Sequence, residues 1–264
     1  AAAPAARAMS VAEETRIHNR ILKCTLELEH ARRYWRLNDG SRTITTAEAY
    51  ESFLFGSRSP ARLSELLTAL RARFDAFPPA LAVLHGWASM SLDTRRLVCH
   101  WHLQLADPLY RRFTGEYLPE RRAGRRAEVS QDQVVRWLNA LQPGRWAVST
   151  QKQLASKLLS AAHAVGLVTT TRDPRPLAYP RTEPVALGYL LYSLRGIDFD
   201  GTLLDNPYLK SLGLQGGVLE DLLRQTPGLR FRRQGDLVDF GWQHAHLADW
   251  AGQVLDTPIP VGCG

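Results

Sequence analysis

Through the first 120 positions apolar residues recur at three- and four-residue spacing, and beyond them a helix-then-hairpin order occurs twice. Residues 16–36 place Ile17, Ile21, Cys24, Leu28 and Ala31 on one helical face with charges opposite. Thr45 and Thr46 precede Ala47 and Glu48, a cap for a helix ending near Gly56. Pro60 opens a helix over 62–77 with a stripe of Leu63, Leu66, Leu67, Leu70 and Phe74, which Pro78 and Pro79 stop. A short apolar helix over 80–90 follows. Asp93 then caps a long helix toward Leu118, and Pro108 must kink or divide it, because proline lacks an N–H and crowds the preceding turn. Ala123-Gly124 reads as a connector, with a domain boundary near 125.

In the second half, Ser130 caps a helix over 132–141 with Val134, Val135, Leu138 and Leu141 inward, and Gln142-Pro143-Gly144 is a turn. Ser149 and Thr150 cap a helix over 151–165 that Gly166 ends in the position where a helix often turns left-handed. Leu154, Leu158, Ala161, Ala162 and Val165 form its buried stripe; Lys152, Gln153, Ser156, Lys157, Ser160 and His163 form the opposite face. Residues 167–171 are strand-like, Asp173-Pro174-Arg175-Pro176 is a turn, and 177–181 return as a second strand. The order recurs with a helix from Pro184 to 194, an irregular link, a helix over 218–225, and strands at 229–231 and 237–242. Identity between the two units is too low for a sequence repeat. The expected architecture is mainly α: an N-terminal helical bundle followed by one or two winged-helix-like modules with short β-hairpins. The expected divisions are a disordered leader (1–14), a helical domain (15–125), a winged-helix-like module (126–182), a second helix-plus-hairpin module (183–250) and a flexible tail (251–264).

Charge sharpens this picture. Residues 133–172 contain no Asp or Glu, whereas 26 carboxylates in 264 residues would place about four in forty. The same window holds Arg136, Arg145, Lys152, Lys157 and Arg172. The recognition helix of a winged helix meets phosphates and so carries no acid. The net charge of +7 and a pI of 9.6 likewise favour anionic partners. The expected ligand is therefore double-stranded DNA, held mainly through phosphates. The candidate contacts are Arg145, Ser149, Lys152, Gln153, Ser156 and Lys157 on the helix and its leading turn, Arg172, Arg175 and Arg181 on the hairpin, and Arg232 on the second hairpin. Solvated helix faces and charged edge strands are the plainer alternatives for each. Arg111, Arg112, Arg121, Arg122, Arg125 and Arg126 form a further basic cluster, either a contact patch or a solvated face.

Other chemistries find little support. No GxSxG, GxxxxGK[ST] or HExxH motif is present, nor a GxGxxG after a strand, so no enzyme and no cofactor is expected. Asp198, Asp200 and Asp205 lie close together but read as a turn, without the neighbouring Lys or Glu on strands that a nuclease site needs. Cys99-His100-Trp101-His102 lacks a second ligand pair with metal spacing, so no metal is expected. Three cysteines far apart, without CxxC spacing, suggest a reducing cytoplasm rather than a disulfide frame. No apolar run is long enough to span a membrane.

Three stretches carry a resemblance to a known family: residues 92–99 leading into a helix through Tyr110 and Phe113; Ser149-Thr150-Gln151-Lys152-Gln153-Leu154 through Ala164-Val165-Gly166-Leu167-Val168; and Tyr189-Leu190-Leu191-Tyr192 with Asn206-Pro207-Tyr208-Leu209. Their order resembles the BrxA family of bacteriophage-exclusion (BREX) defence systems, over roughly residues 20–245. The resemblance implies a mostly helical, non-enzymatic DNA-binding component with winged-helix-like parts, working beside other defence-system proteins. It carries over no catalytic residue. A protein-interaction scaffold, docking a partner through its winged helices and drawing on seven tryptophans and eight tyrosines, is the alternative.

Overall fold

The computed structural model describes residues 11–56, 58–235 and 237–255. Its first element is a strand: β1 (Val11–Ala12) runs parallel to Ile197–Asp198. A single 3₁₀ turn, Arg20–Leu22, then precedes α1 (Leu28–Leu37). The helical spacing of Ile17, Ile21 and Cys24 thus does not make a helix. Ile21, Cys24 and Leu26 are buried, and so is Arg73, whose guanidinium donates to the carbonyls of Cys24 (2.8 Å), Thr25 (2.6 Å) and Leu26 (3.4 Å). One side chain supplies the donors a helix would have supplied, so the backbone is satisfied in an irregular path. Arg73→Ala is expected to lower unfolding free energy by about 3 kcal/mol or more, because it strands several acceptors at once; urea unfolding monitored by circular dichroism checks this. Residues 11–14, expected in the leader, are tied to the fold instead: Glu13 is buried, 3.3 Å from Arg111, and accepts from the Tyr208 hydroxyl. The rest of that leader lies outside the described residues.

α2 (Thr46–Glu51) and α3 (Pro60–Phe74) start at Thr45 and Ser59, whose hydroxyls accept from first-turn N–H groups. α4 (Pro78–Gly86) follows, then α5 (Leu92–Ala106), in which every side chain from Leu97 to Leu105 is buried. Pro108 divides the long helix as its chemistry requires: Asp107 ends α5 and caps α6 (Pro108–Arg112) through the Tyr110 N–H at 3.0 Å. A π turn (Phe113–Tyr117) leads into α7 (Leu118–Ala123).

β2 (Glu128–Val129), α8 (Gln131–Leu141), α9 (Val148–Val165) and β3 (Arg175–Pro176) come next. β2 pairs antiparallel with β3, and Val168 bridges to Leu177, the residue after β3. The strand leading into α8 therefore lies beside the returning strand of the hairpin, which in turn lies beside the strand leaving α9. That is the sheet order of a winged helix, in miniature. The hairpin is shorter than the expected strands over 167–171 and 177–181, and Arg181 lies beyond it.

The second unit repeats the order with α10 (Pro184–Leu194), β4 (Ile197–Asp198), α11 (Pro207–Lys210), α12 (Gly216–Gln225) and the hairpin β5 (Leu229–Gln234) and β6 (Leu237–Trp242). Here the strand after the first helix pairs with β1 rather than with its own hairpin. A further helix, α13 (Leu247–Val254), buries Leu247 and Trp250; the expected tail therefore starts inside a packed helix, and residues 256–264 lie outside the described ones.

The expected boundary near 125 separates no independent cores. Trp137 of α8 stacks on Tyr117 (5.0 Å between ring centroids) and meets Phe113, so the first winged unit shares the bundle's core. A Cβ at Gly115 would fall 2.6 Å from Pro207 Cβ and 2.8 Å from its carbonyl oxygen, so the π turn and α11 approach as only glycine allows.

Candidate nucleic-acid interface

α9 is amphipathic in the expected sense. Leu154, Leu158, Ala161, Ala162 and Val165 are buried, together with Gln151, Ala155 and Leu159, against α8, the 3₁₀ turn and α5. Ser149, Lys152, Gln153, Ser156, Lys157, Ser160 and His163 are exposed. At about 100° and 1.5 Å per residue these seven occupy an arc of about 140° and a length of about 21 Å. A B-DNA major groove, about 12 Å wide, accepts a helix of this kind. No carboxylate lies on the face, and neither lysine pairs with a described residue.

The start of α9 differs from expectation. Ala147 occupies the cap position and no side chain accepts from the first turn, so Ser149 sits within that turn and caps nothing. Gln151 is turned inward instead, donating to Trp146 O (3.2 Å) and Asn139 Oδ1 (3.4 Å). Arg145 is exposed but anchored: one terminal nitrogen donates to Ile17 O at 2.6 Å, the other to Gln142 Oε1, and the guanidinium lies 5.1 Å from the Trp146 ring centre. That anchor brings the N-terminal segment alongside. Arg16 and Arg20 join Arg145 and Trp146 around an open cleft of about 280 Å³. The Arg16 N–H donates to Glu14 Oε1 at 2.9 Å while its guanidinium has no carboxylate partner among the described residues, and Arg20 pairs loosely with Glu14 at 4.0 Å. Sequence reasoning placed Arg16 and Arg20 on a helix, and no local signal links them to Arg145.

Asp173 fastens the wing. Its Oδ2 accepts from the Gln131 N–H at 2.6 Å and its Oδ1 from Arg175 Nε at 2.7 Å. Burial pushes the Asp173 carboxyl up, but Gln131 and Arg175 outweigh it and hold the group below the ordinary carboxylate range. Gln131 also donates through its side chain to Lys152 O at 3.1 Å, which links the wing, the start of α8 and the face of α9 through one residue. Arg175, with its side chain 12% exposed, holds the wing's shape and is not a free phosphate ligand. Arg172 is exposed and unpaired, as is Arg181, which follows Pro180 beside Gly166 at the far end of α9. Arg125 and Arg136 are exposed and unpaired too. The rest of the arginine cluster is largely structural: Arg122 donates to Leu167 O and Ala178 O and covers the Tyr179 ring at 4.1 Å, Arg121 donates to Glu128 O, and Arg111 is buried.

The second unit has a different surface. Glu220 and Asp221 lie on α12; Arg224 pairs with both, and Arg233 of the hairpin pairs with Glu220. Arg230 pairs with Asp239 across the strands at 3.5 Å. Arg232 is exposed and unpaired, but no contact joins it to the face of α9. Val218, Leu237 and Val238 are 63%, 72% and 47% exposed.

Of the remaining candidates, the histidines are core and the aspartates are exposed. His100 and His102 are fully buried; the first contacts Tyr110 and Ser211 hydroxyls and the second contacts Arg73 O and the Tyr189 hydroxyl. Burial pushes their imidazoles down to about 3 and about 4. Asp205 pairs with Lys210 at 2.7 Å, and no group of three metal-ligating side chains occurs among the described residues. No helix of the described residues is long and apolar enough to cross a membrane.

No family model matches the chain, and no curated protein matches it. Among solved structures it is similar to a crystal structure of an uncharacterized protein from Magnetospirillum magneticum, with 19% sequence identity, a TM-score of 0.53, and coverage of 69% of this chain and 98% of that one. At that identity the likeness is one of fold.

Proposed function

We propose that the protein binds double-stranded DNA without catalysing a reaction, with α9 as the recognition helix and phosphates as its main contacts. The observation that carries this reading is the carboxylate-free, unpaired cationic face of α9 within a module whose strands follow the winged-helix order. Arg136, Lys152, Lys157, Arg172 and Arg181, whose side chains pair with no described residue, belong to that module and Arg125 directly precedes it, whereas the corresponding helix of the second unit carries Glu220 and Asp221. Arg16 and Arg20, beside the start of α9, extend the basic surface. Gln153, Ser156 and Ser160 are short neutral groups suited to base edges or phosphate oxygens. The placement within a phage-defence system, beside other proteins of that system, rests on the resemblance to the BrxA family alone.

Anisotropy of a labelled 30-base-pair duplex, titrated at several salt concentrations, tests the proposal. About six phosphate contacts give a slope of log affinity against log salt near −5. Absence of binding at low salt would overturn it in favour of the scaffold reading. The second unit gives that alternative its specific support: Val218, Leu237 and Val238 are exposed there and Arg224 and Arg233 are already paired with the carboxylates of α12, a surface less suited to phosphates than to a protein. On the DNA reading, Leu237→Asp leaves duplex affinity unchanged in the same assay.

A further inference from the structure

A different set of arginines lies on α1. Arg36 follows Arg32 by four residues and Arg33 by three, so the three share a helix face, and none of their side chains forms a hydrogen bond or ion pair with another described residue. Like charges at this spacing repel, so the arrangement is unfavourable until an anion joins it. The nearest carboxylate on the same helix, Glu29, is held by Arg95 at 2.8 Å. Arg32 and Arg36 stand between two clefts. The larger, about 830 Å³ and open, also meets Arg33 and has Leu37, Phe55, His30 and the Arg95-paired Glu29 in its wall. The smaller, about 130 Å³, is floored by Trp35, Leu84, Trp87 and Met90, with His85 at its side. Trp35 has a buried indole N–H without an acceptor, and His85 Nδ1 lies 2.8 Å from Trp35 O.

We propose that this ridge docks a short acidic segment of a partner protein, with one apolar side chain in the smaller cleft and carboxylates on Arg32, Arg33 and Arg36. The smaller cleft is small enough for one side chain and sets carbon of Trp35, Leu84, Trp87 and Met90, which a phosphate chain does not need, beside Arg32, Arg36 and His85. The arginines supply the complementary charge, and guanidinium groups pair with planar carboxylates two bonds at a time. An apolar anchor ringed by charge pairs is the arrangement that concentrates binding energy at protein interfaces. This inference is independent of the DNA reading, because it uses no residue of α9, the wing or the N-terminal segment.

The test uses the whole protein and a fluorescein-labelled twelve-residue peptide of alternating Glu and Ser around a central Leu, followed by anisotropy. The expected result is saturable binding with a dissociation constant below about 100 µM. It weakens more than tenfold when every Glu is replaced by Gln, when the Leu is replaced by Gly, or in the protein variant R32A/R36A. Ala88→Trp, at an exposed rim position of the smaller cleft, serves as a second variant that keeps the arginines and is expected to remove the dependence on Leu. Circular dichroism and duplex affinity of both variants should match the parent protein. No saturation by about 1 mM, equal binding of the Gln peptide, or indifference to both variants overturns the proposal. Displacement of the peptide by an unlabelled 30-base-pair duplex in the parent protein, but not in R32A/R36A, assigns the ridge to phosphates instead and overturns it as well.

Discussion

Replacing Lys152 and Lys157 together by Glu is expected to abolish duplex binding and to leave helix content and the thermal midpoint unchanged. Both lysines are exposed on α9 and unpaired, so the folded protein loses no contact with them, and surface changes of this kind stay within about 0.5 kcal/mol. The effect on DNA is of another order. Two of about six phosphate contacts disappear and two carboxylates are set against the phosphates, in the middle of the only long helix face of the module free of acid. The neutral version separates the two contributions. Lys152→Ala with Lys157→Ala removes two contacts without adding repulsion, and the salt slope should change by about 1.8, from about −5.4 to about −3.6. Gln153→Ala changes affinity without changing that slope, because an uncharged side chain releases no counterion. Arg175→Ala acts differently again. Its partner Asp173 is then held by Gln131 alone, so the wing loosens, and the loss of affinity comes with a lower thermal midpoint. Unchanged affinity in the double glutamate variant would remove α9 from the interface.

Local chemistry was readable wherever the residues that decide a structure are close in sequence. The two faces of α9, the division at Asp107-Pro108 and the second hairpin follow from spacing, caps and turn residues within a few positions, and each is found as expected. Most of the failures share one cause. Residues 16–27 have helical spacing, but Arg73, some fifty positions away, satisfies their carbonyls and makes a helix unnecessary. Arg175 looks like a free wing cation until Asp173 is seen to be fixed by the start of α8. Arg16 and Arg20 join the candidate interface only because Arg145 reaches Ile17 O across the fold. The extension of the fold through β1 is of the same kind. The two residues of β1 pairing with β4 leave no periodic signal long enough to detect, whereas α13 does carry one, with Leu247, Trp250, Ala251 and Val254 at helical spacing. Charge told of a basic surface; only tertiary contacts separate the arginines that hold the fold from those free to hold a ligand.

That separation also exposes a sensitivity to acid. Ser211 donates its hydroxyl proton to Tyr208 O, so its oxygen accepts from His100 Nε2–H, and His100 Nδ1 must accept from the Tyr110 hydroxyl. His102 Nδ1–H donates to Arg73 O, which leaves its Nε2 accepting from the Tyr189 hydroxyl. Each ring has its lone pair committed to a tyrosine O–H in a site closed to water. A second proton would leave that hydroxyl facing another donor, so burial and bonding act together to keep both rings neutral. With folded values of about 3 and about 4 against 6.5, protons bind the unfolded chain first. Their contribution is complete above pH 6.5 and is lost as the pH falls toward 4. Two such groups give a slope approaching 2.7 kcal/mol per pH unit, or about 5 kcal/mol lost by pH 4.5. Against a typical total of about 5–15 kcal/mol, that is enough to unfold a protein of ordinary stability. Glu27 and Asp173, whose carboxyls are held below their ordinary values, add their losses at lower pH, whereas burial raises the carboxyls of Asp75 and Asp107, which bind protons first in the folded protein and offset part of the histidine loss. Urea midpoints measured from pH 6.5 to 4.5 should fall steeply. His102→Gln should be less stable than the parent at pH 7 and show about half the dependence on pH, since one titrating ring remains. A midpoint constant between pH 6.5 and 5 would mean that the two rings take up protons in the folded state, and the closed hydrogen-bond chains described here would have to open.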